Sequence, residues 1–234
     1  MPSLALFDID GTLTDTNDVD DECFRCAVAD IFAVPAASID WSDAPHITDS
    51  ALARWLCQTC CGREVTPSEL DRLINRFVHL LRQRFAIAPR RFLPIRGAPG
   101  VLAYVRAAGW RVALATGGWL PSALFKLQAA GVHAPDLVVA SASDALTRVE
   151  IAQIACQRVV EQEQRAFERI VLVGDAPWDV RSAVELGYGF VGVGRRAAAM
   201  LAAGASRVLS DLGDRAAVVN ALETATIPAA RPAA

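Results

Sequence analysis

Short runs of continuous apolar residues alternate with helical patterns over residues 97–209, and this alternation constrains the fold most. Two of the runs are Val-Ala-Leu-Ala at 112–115 and Ile-Val-Leu-Val at 170–173. Strands without polar alternation are typical of a parallel sheet covered by helices on both faces. Strands are predicted at 111–115, 137–140, 170–173 and 190–193, with helices at 101–108, 121–130, 149–160 and 179–186. The sequence therefore predicts an α/β fold with a doubly wound, Rossmann-like parallel sheet.

The first predicted strand is separated from the others by a long helical stretch. The strand is Leu-Ala-Leu-Phe at 4–7, and apolar residues then recur with helical spacing over residues 18–85. Thr66, Pro67 and Glu69 have the spacing of a helix start with an N-cap, a first-turn proline and a capping box. We expect a core domain of residues 1–14 and 91–226, an all-helical domain of residues 15–90 inserted after the first strand, and a flexible tail at 227–234.

Composition excludes some partner classes and leaves others open. The chain has 234 residues and a formal net charge of −3, which gives no electrostatic reason to expect nucleic acid or an anionic membrane as partner. No basic stretch precedes an apolar run at the N-terminus, and no apolar run is long enough to span a bilayer. A cytoplasmic protein, monomer or homodimer, is expected. Lys126 is the only lysine, and we interpret that scarcity as base-composition bias.

Polar side chains follow four of the predicted strands at the point where each strand ends. Ligands of open α/β sheets bind at this edge of the sheet. The first strand ends in Asp8 and Asp10 and the second in Thr116-Gly117-Gly118. The third is followed by Ser141, Ser143, Asp144 and Arg148, and the fourth by Asp175 and Asp179.

These residue types are suited to a divalent cation and a phosphate group. Asp8 and Asp175 would repel each other unless a cation lay between them, and Mg²⁺ prefers carboxylate oxygens. Thr116 and the Gly117 amide precede a predicted helix, where an anion is favoured. Arg148 can bind phosphate through two parallel hydrogen bonds. A carboxylate nucleophile divides hydrolysis into two displacements, and a second carboxyl group can protonate the leaving oxygen.

Three segments resemble motifs of the haloacid dehalogenase-like (HAD) hydrolase superfamily. Asp-Ile-Asp-Gly-Thr-Leu-Thr-Asp at 8–15 resembles the first motif, Thr116 the second, and Gly-Asp-Ala-Pro-Trp-Asp at 174–179 the fourth. The resemblance implies that Asp8 is the nucleophile, Asp10 the general acid and base, and Thr116 a phosphate ligand. It also implies that Mg²⁺ is held by Asp8, the backbone carbonyl of Asp10, Asp175 and Asp179.

The third motif departs from the family, which usually has a lysine there. Arg148 is the best substitute in this sequence, with Arg158 and Arg169 in the same neighbourhood. The helical insertion resembles the helical cap of subfamily I, which closes over the site and selects the leaving group. The segment His46-Ile47-Thr48-Asp49 resembles the loop that enters the site in relatives similar to phosphoglycolate phosphatase. His46, Thr48 and Asp49 are therefore candidate specificity residues.

The expected function is that of a Mg²⁺-dependent phosphatase that hydrolyses a small phosphorylated metabolite through an aspartyl-phosphate intermediate. A sugar phosphomutase of the same family and a non-catalytic phosphate-binding module are the alternatives. Asp10 argues against dehalogenation, since halide departure needs no proton. Cys23-x-x-Cys26 and Cys57-x-x-Cys60 have the outline of a four-thiolate zinc site. Both pairs fall on predicted helices, and we expect them to be buried core residues.

Overall fold

The core of the molecule is a six-stranded, fully parallel sheet with the order β5-β4-β1-β6-β7-β8. The computed structural model describes residues 1–134 and 136–230. Counted along the chain, the six strands lie in the order 3-2-1-4-5-6, which is the doubly wound arrangement. Their bounds are β1 Ser3–Phe7, β4 Arg111–Ala115, β5 Val138–Ala140, β6 Arg169–Gly174, β7 Gly189–Val193 and β8 Val208–Leu209.

Helices cover both faces of this sheet, as the sequence predicts. Ala5 and Phe7 of β1 pack with α4, α5 and α9, whereas Leu4 and Leu6 pack with α6, α7 and α8 on the other face. This alternation is the two-residue period of a strand with both faces buried. The helices are α4 Ala98–Ala107, α5 Leu120–Ala129, α6 Arg148–Glu163, α7 Pro177–Leu186, α8 Ala197–Ala202 and α9 Arg215–Glu223.

Three helices lie between β1 and α4, in the stretch predicted as a helical insertion. They are α1 Asn17–Phe32, α2 Asp49–Cys61 and α3 Pro67–Ile87. The predicted capping box is present: the Glu69 backbone N–H donates to Thr66 Oγ1 (3.3 Å), and the Thr66 N–H donates to Glu69 Oε2 (3.0 Å). Two short antiparallel strands, β2 Thr14–Asp15 and β3 Leu93–Pro94, join the insertion to the core. Two-residue strands carry no periodic signal, so the sequence did not predict them.

Trp119 packs the loop after β4 against the helical insertion. Its side chain is fully buried, with ring centroids 5.7 Å from Phe24 and 5.9 Å from Phe77. Its indole N–H donates to Ser50 Oγ and its backbone N–H to Asp49 Oδ2, both at 2.8 Å. The insertion therefore lies directly against a loop at the carboxyl end of the sheet.

The expectation that both cysteine pairs are buried core residues holds for Cys23 and Cys57, but it is wrong for Cys60, which is exposed, and Cys26 is only partly buried. Cys23 and Cys57 are buried among apolar residues of α1, α2 and α3. Burial, with Glu22 and Asp20 adding, raises the pKa of the Cys23 thiol to about 12, which opposes the thiolate that zinc requires. Within residues 1–134 and 136–230, no group of three metal-ligating side chains includes a cysteine.

Part of the predicted tail is hydrogen-bonded to the core. In the predicted tail the Ala229 N–H donates to the Gly204 carbonyl (3.3 Å), while residues 231–234 lie outside the described part. No helix in the described residues is both long and apolar enough to cross a lipid bilayer.

Candidate active site

Three aspartates converge where β1 and β6 end. Asp8 continues β1, with its N–H bonded to the Val173 carbonyl (2.9 Å), Asp175 follows β6, and Asp179 lies in the first turn of α7. One ligand oxygen of each lies within 4.8 Å of the others, and all three residues are buried. Gly11 permits this approach because a Cβ there would lie 2.1 Å from Asp175 Oδ2. The structure therefore brings three of the predicted metal ligands together.

The three carboxyl groups disfavour one another's ionisation. Burial raises the pKa of Asp8 to about 7, with Asp179 and Asp10 adding and Arg148 opposing. Burial also raises the pKa values of Asp175 and Asp179 to about 6. Among the described residues, Asp8 Oδ1 is a buried oxygen without a hydrogen-bond donor. A hard divalent cation would satisfy this oxygen and remove the repulsion, so the residues present fit Mg²⁺.

Arg148 begins α6 and contacts the same carboxylates. Its Nη1 lies 2.9 Å from Asp179 Oδ1 and 3.5 Å from Asp8 Oδ1, and its Nε donates to the Ile47 carbonyl (3.2 Å). The contact with Asp8 is an ion pair too long for a hydrogen bond. Arg158 instead binds Asp144, and Arg169 donates to the Ala225 carbonyl. Of the three arginines considered for the third motif, Arg148 is the one beside Asp8.

The loop after β4 lies beside this cluster. Thr116 is buried, and its Oγ1 accepts a hydrogen bond from the Gly118 N–H (3.1 Å). The Gly117 carbonyl accepts from the Asp49 N–H (2.8 Å). A Cβ at Gly117 would lie 2.7 Å from an Arg148 nitrogen. Thr116, Gly117 and Arg148 thus form one wall of the site, which suits the phosphate-binding role predicted for them.

Asp10 lies two residues from Asp8 but is bound by a different set of groups. The Thr16 hydroxyl donates to its Oδ1 and the Lys126 ammonium to its Oδ2, both at 2.6 Å. Lys126 also donates to Asp20 of α1. The chain's one lysine therefore binds the predicted general acid.

The position of Lys126 in the sequence is itself a signal of a buried partner. Ala123, Lys126 and Leu127 occupy the buried face of α5, and Lys126 is fully buried. A lysine on an apolar helical stripe needs a buried partner. Burial by itself lowers the pKa of its ammonium group, but the carboxylates of Asp10, Asp20 and Asp49 raise that pKa above the usual value. Lys126 is therefore charged at neutral pH.

Two further residues bind Asp175 and had no motif to mark them. Arg196 Nη1 donates to Asp175 Oδ2 (2.9 Å), and Asn17 Nδ2 donates to the same oxygen (3.1 Å). The Arg148 and Arg196 guanidinium groups lie 5.6 and 5.2 Å from the centroid of the Trp178 ring. These contacts join the ends of β6 and β7 to the first turn of α1.

The segment from His46 to Asp49 lies beside the predicted site and contacts core loops. Thr48 Oγ1 donates to the Leu146 carbonyl (2.6 Å), and Asp49 is bonded to Gly117 and Trp119.

His46 lines a cavity of about 290 Å³ together with Arg148. A second cleft of about 120 Å³ lies between the insertion and the strand ends, lined by Asp10, Asp20, Thr48, Asp49, Thr116, Arg148, Asp175 and Trp178 among others. Residues from the insertion and from the strand ends therefore line one chamber, which we call the site chamber.

A family model described as haloacid dehalogenase-like hydrolase matches residues 2–187. The chain belongs to this family. The match covers β1, the insertion and every strand end that carries a predicted site residue, and it identifies the protein as a hydrolase. None of the curated proteins compared with this HAD hydrolase matches it.

Solved structures show the same fold at low sequence identity. A hydrolase from Pseudomonas syringae is 20% identical with a TM-score of 0.71, and the alignment covers 97% of this HAD hydrolase and 100% of that chain. A provisionally named β-phosphoglucomutase from Bacteroides vulgatus is 16% identical (TM-score 0.66, covering 95% and 89%). A predicted phosphoglycolate phosphatase from Haemophilus somnus is also 16% identical (TM-score 0.60, covering 92% and 96%).

The contact between the Gly117 loop and Arg148 in this HAD hydrolase can be tested with two neighbouring glycines. Gly117→Ala would place a Cβ 2.7 Å from an Arg148 nitrogen and 3.1 Å from the Ile47 carbonyl oxygen, whereas the nearest atoms to a Cβ at Gly118 lie at 3.6 Å. We expect Gly117→Ala to lower kcat/KM about 10- to 100-fold by displacing Arg148. Gly118→Ala should keep most of the activity. Equal losses in steady-state assays of the two variants would contradict this geometry.

Proposed function

We propose that this hydrolase is a Mg²⁺-dependent phosphatase that cleaves a small organic phosphate monoester through an aspartyl-phosphate intermediate. The observation that carries the proposal is the surroundings of Asp8. Its Oδ1 is buried without a donor among the described residues, Asp175 and Asp179 lie within 4.8 Å, and Arg148 stands 3.5 Å away. A carboxylate so placed can act as a nucleophile towards a phosphate held by Arg148.

The chain's own residues supply both displacements. A carboxylate oxygen of Asp8 attacks phosphorus, the bond from phosphorus to the ester oxygen breaks, and Asp10 gives its proton to the leaving oxygen. Asp10 then takes a proton from water, whose oxygen attacks phosphorus, so that inorganic phosphate leaves and Asp8 is regenerated. Thr116, Gly117 and Arg148 hold the phosphoryl oxygens.

The carboxylates of Asp8, Asp175 and Asp179, with the Asp10 carbonyl, would hold Mg²⁺. When bound, Mg²⁺ supplies positive charge that stabilises the phosphoryl oxygens as negative charge develops. We assign the helical insertion of residues 15–90 the role of a cap, because its Asp20, Thr48 and Asp49 line the chamber over the site. A chamber of this kind excludes water and fits a small phosphorylated metabolite.

The pH dependence of stability should change sign with Mg²⁺. Between pH 4 and 7 the metal-free folded state binds more protons than the unfolded state, because the pKa values of Asp8, Asp175 and Asp179 are raised; stability therefore falls as pH rises. The rise for Asp175 from 3.8 to about 6 corresponds to about 3 kcal/mol. Mg²⁺ should raise the melting temperature by several degrees at pH 7.5 and little at pH 5. If thermal unfolding showed that Mg²⁺ raises the melting temperature equally at pH 5 and pH 7.5, the prediction would be contradicted.

The test of the proposed function is phosphate release from p-nitrophenyl phosphate and from a panel of phosphorylated metabolites, with Mg²⁺ and with EDTA. We expect release only with Mg²⁺. The phosphomutase alternative is tested with a bisphosphate labelled in its phosphoryl groups and an unlabelled sugar phosphate. Transfer of label without release of free phosphate would overturn the phosphatase proposal. Failure to hydrolyse any substrate, with Mg²⁺ still bound, would favour the binding-module alternative.

A further inference from the structure

We propose that Lys126 is a positioning residue that orients the Asp10 carboxyl group. The inference rests on the proposed function, in which Asp10 is the general acid. In the described part of the chain, the Lys126 ammonium group donates to Asp10 and Asp20, so it would act on the reaction through Asp10.

Lys126 lies inside the protein, where its ammonium group is bonded to two carboxylates. Its side chain is fully buried, whereas the side chains of Asp10 and Asp20 keep 16% and 17% of their exposure. The ammonium group donates to Asp10 Oδ2 at 2.6 Å and also to Asp20. Asp10 therefore faces the site chamber from one side and receives a buried cation from the other.

The second oxygen of Asp10 is also bound. The Thr16 hydroxyl donates to Oδ1 at 2.6 Å, so each carboxylate oxygen has its own donor. Two donors at separate oxygens fix the rotation of the carboxyl plane as well as its position. If Lys126 were removed, one oxygen would lose its donor and the plane could rotate about the Cβ–Cγ bond. A general acid must be held within hydrogen-bond reach of the oxygen that it protonates, so this orientation affects the rate.

Lys126 also connects two separate parts of the chain. It lies on α5 of the core, Asp10 lies after β1, and Asp20 lies on α1 of the insertion. The competing explanation is that Lys126 only pairs with Asp20 to hold the insertion on the core.

Leaving-group dependence separates the two explanations. An alkyl phosphate expels a poor leaving group that needs a proton, whereas p-nitrophenolate leaves without one. A misplaced general acid therefore slows cleavage of glycerol phosphate far more than that of p-nitrophenyl phosphate. If Lys126 and Asp20 formed an ion pair that only stabilises the fold, its loss would slow cleavage of both substrates to the same extent. Asp10→Asn provides the benchmark for complete loss of the acid.

The variants are chosen so that Asp20 is not left as an unpaired buried charge. Lys126→Met would leave Asp20 unpaired and risks misfolding, so Lys126→Met/Asp20→Asn is compared with Asp20→Asn, and the two differ only at Lys126. We expect the double variant to lower kcat/KM for glycerol phosphate about 100-fold and for p-nitrophenyl phosphate about threefold or less. Asp20→Asn should retain the wild-type ratio between the two substrates.

A third comparison checks that Lys126 acts through Asp10. Adding Asp10→Asn to the Lys126→Met/Asp20→Asn variant should lower kcat/KM for glycerol phosphate much less than Asp10→Asn lowers it in the wild type, because the acid is already misplaced. Parallel losses on both substrates, or unchanged ratios in the folded double variant, would overturn the assignment. An Asp8→Asn variant with wild-type turnover would instead overturn the proposed function itself, so the two failures are distinguishable.

Discussion

The Asp8→Asn variant is expected to lose turnover almost completely, with kcat about 10⁴-fold or more below that of the wild type. An amide is a much poorer nucleophile than a carboxylate, and the intermediate can no longer form. The substitution keeps the shape of a side chain that is 5% exposed, so packing should be preserved. Steady-state release of phosphate from p-nitrophenyl phosphate measures the effect.

Thermal unfolding provides the control for Asp8→Asn. The variant removes one of three carboxylates that raise each other's pKa. Without Mg²⁺ at pH 7.5, it should therefore be at least as stable as the wild type. A variant that is inactive and also unfolded would not test the nucleophile. A folded Asp8→Asn variant with wild-type kcat would show that Asp8 is not the attacking group.

The Asp175→Asn variant is expected to lose about 10²- to 10³-fold in activity and to need far more Mg²⁺ for what remains. Asp175 would contribute a charged oxygen to the cation, and the cation's stabilisation of phosphoryl charge is worth several kcal/mol. Titration of activity with Mg²⁺ measures both quantities. Because the Asp175 carboxyl also binds Arg196 and Asn17, circular dichroism should verify that the fold is retained.

Asp30→Asn is the matched control for Asp175→Asn. Asp30 also carries a carboxylate paired with an arginine, Arg76, but the pair is exposed on the insertion. Exposed pairs contribute little to stability, and this one lies away from the site. Asp30→Asn should keep both kcat and the Mg²⁺ requirement. If Asp175→Asn behaved in the same way, the three-aspartate cluster would not be the metal site.

Much of the fold was predictable because its signals are local. β4 has the predicted bounds of Arg111–Ala115, and α7 begins two residues earlier than predicted, at Pro177. A buried strand is recognisable from its apolar run, and a helix from its apolar stripe. The end of each strand then locates Asp8, Thr116 and Asp175 at one edge of the sheet.

The missed residues depend on contacts between segments that are distant in sequence. Lys126 meets Asp10 across 116 positions and Asp20 across 106. Arg196 reaches Asp175 from beyond β7, and no spacing along the chain marks either contact. Whether a buried lysine has a partner depends on how α5 packs against the insertion, which is a property of the tertiary structure. The catalytic and binding roles of the candidate residues stay predictions.

The claim that Asp8 attacks phosphorus is tested most directly by trapping the intermediate. The enzyme would be mixed with Mg²⁺ and a substrate that carries a labelled phosphoryl group, quenched in acid, digested and analysed by mass spectrometry. The account predicts one labelled site, at Asp8, which hydroxylamine releases as expected for an acyl phosphate. Label on any other residue, or full turnover without label at Asp8 under conditions that trap an acyl phosphate, would contradict it.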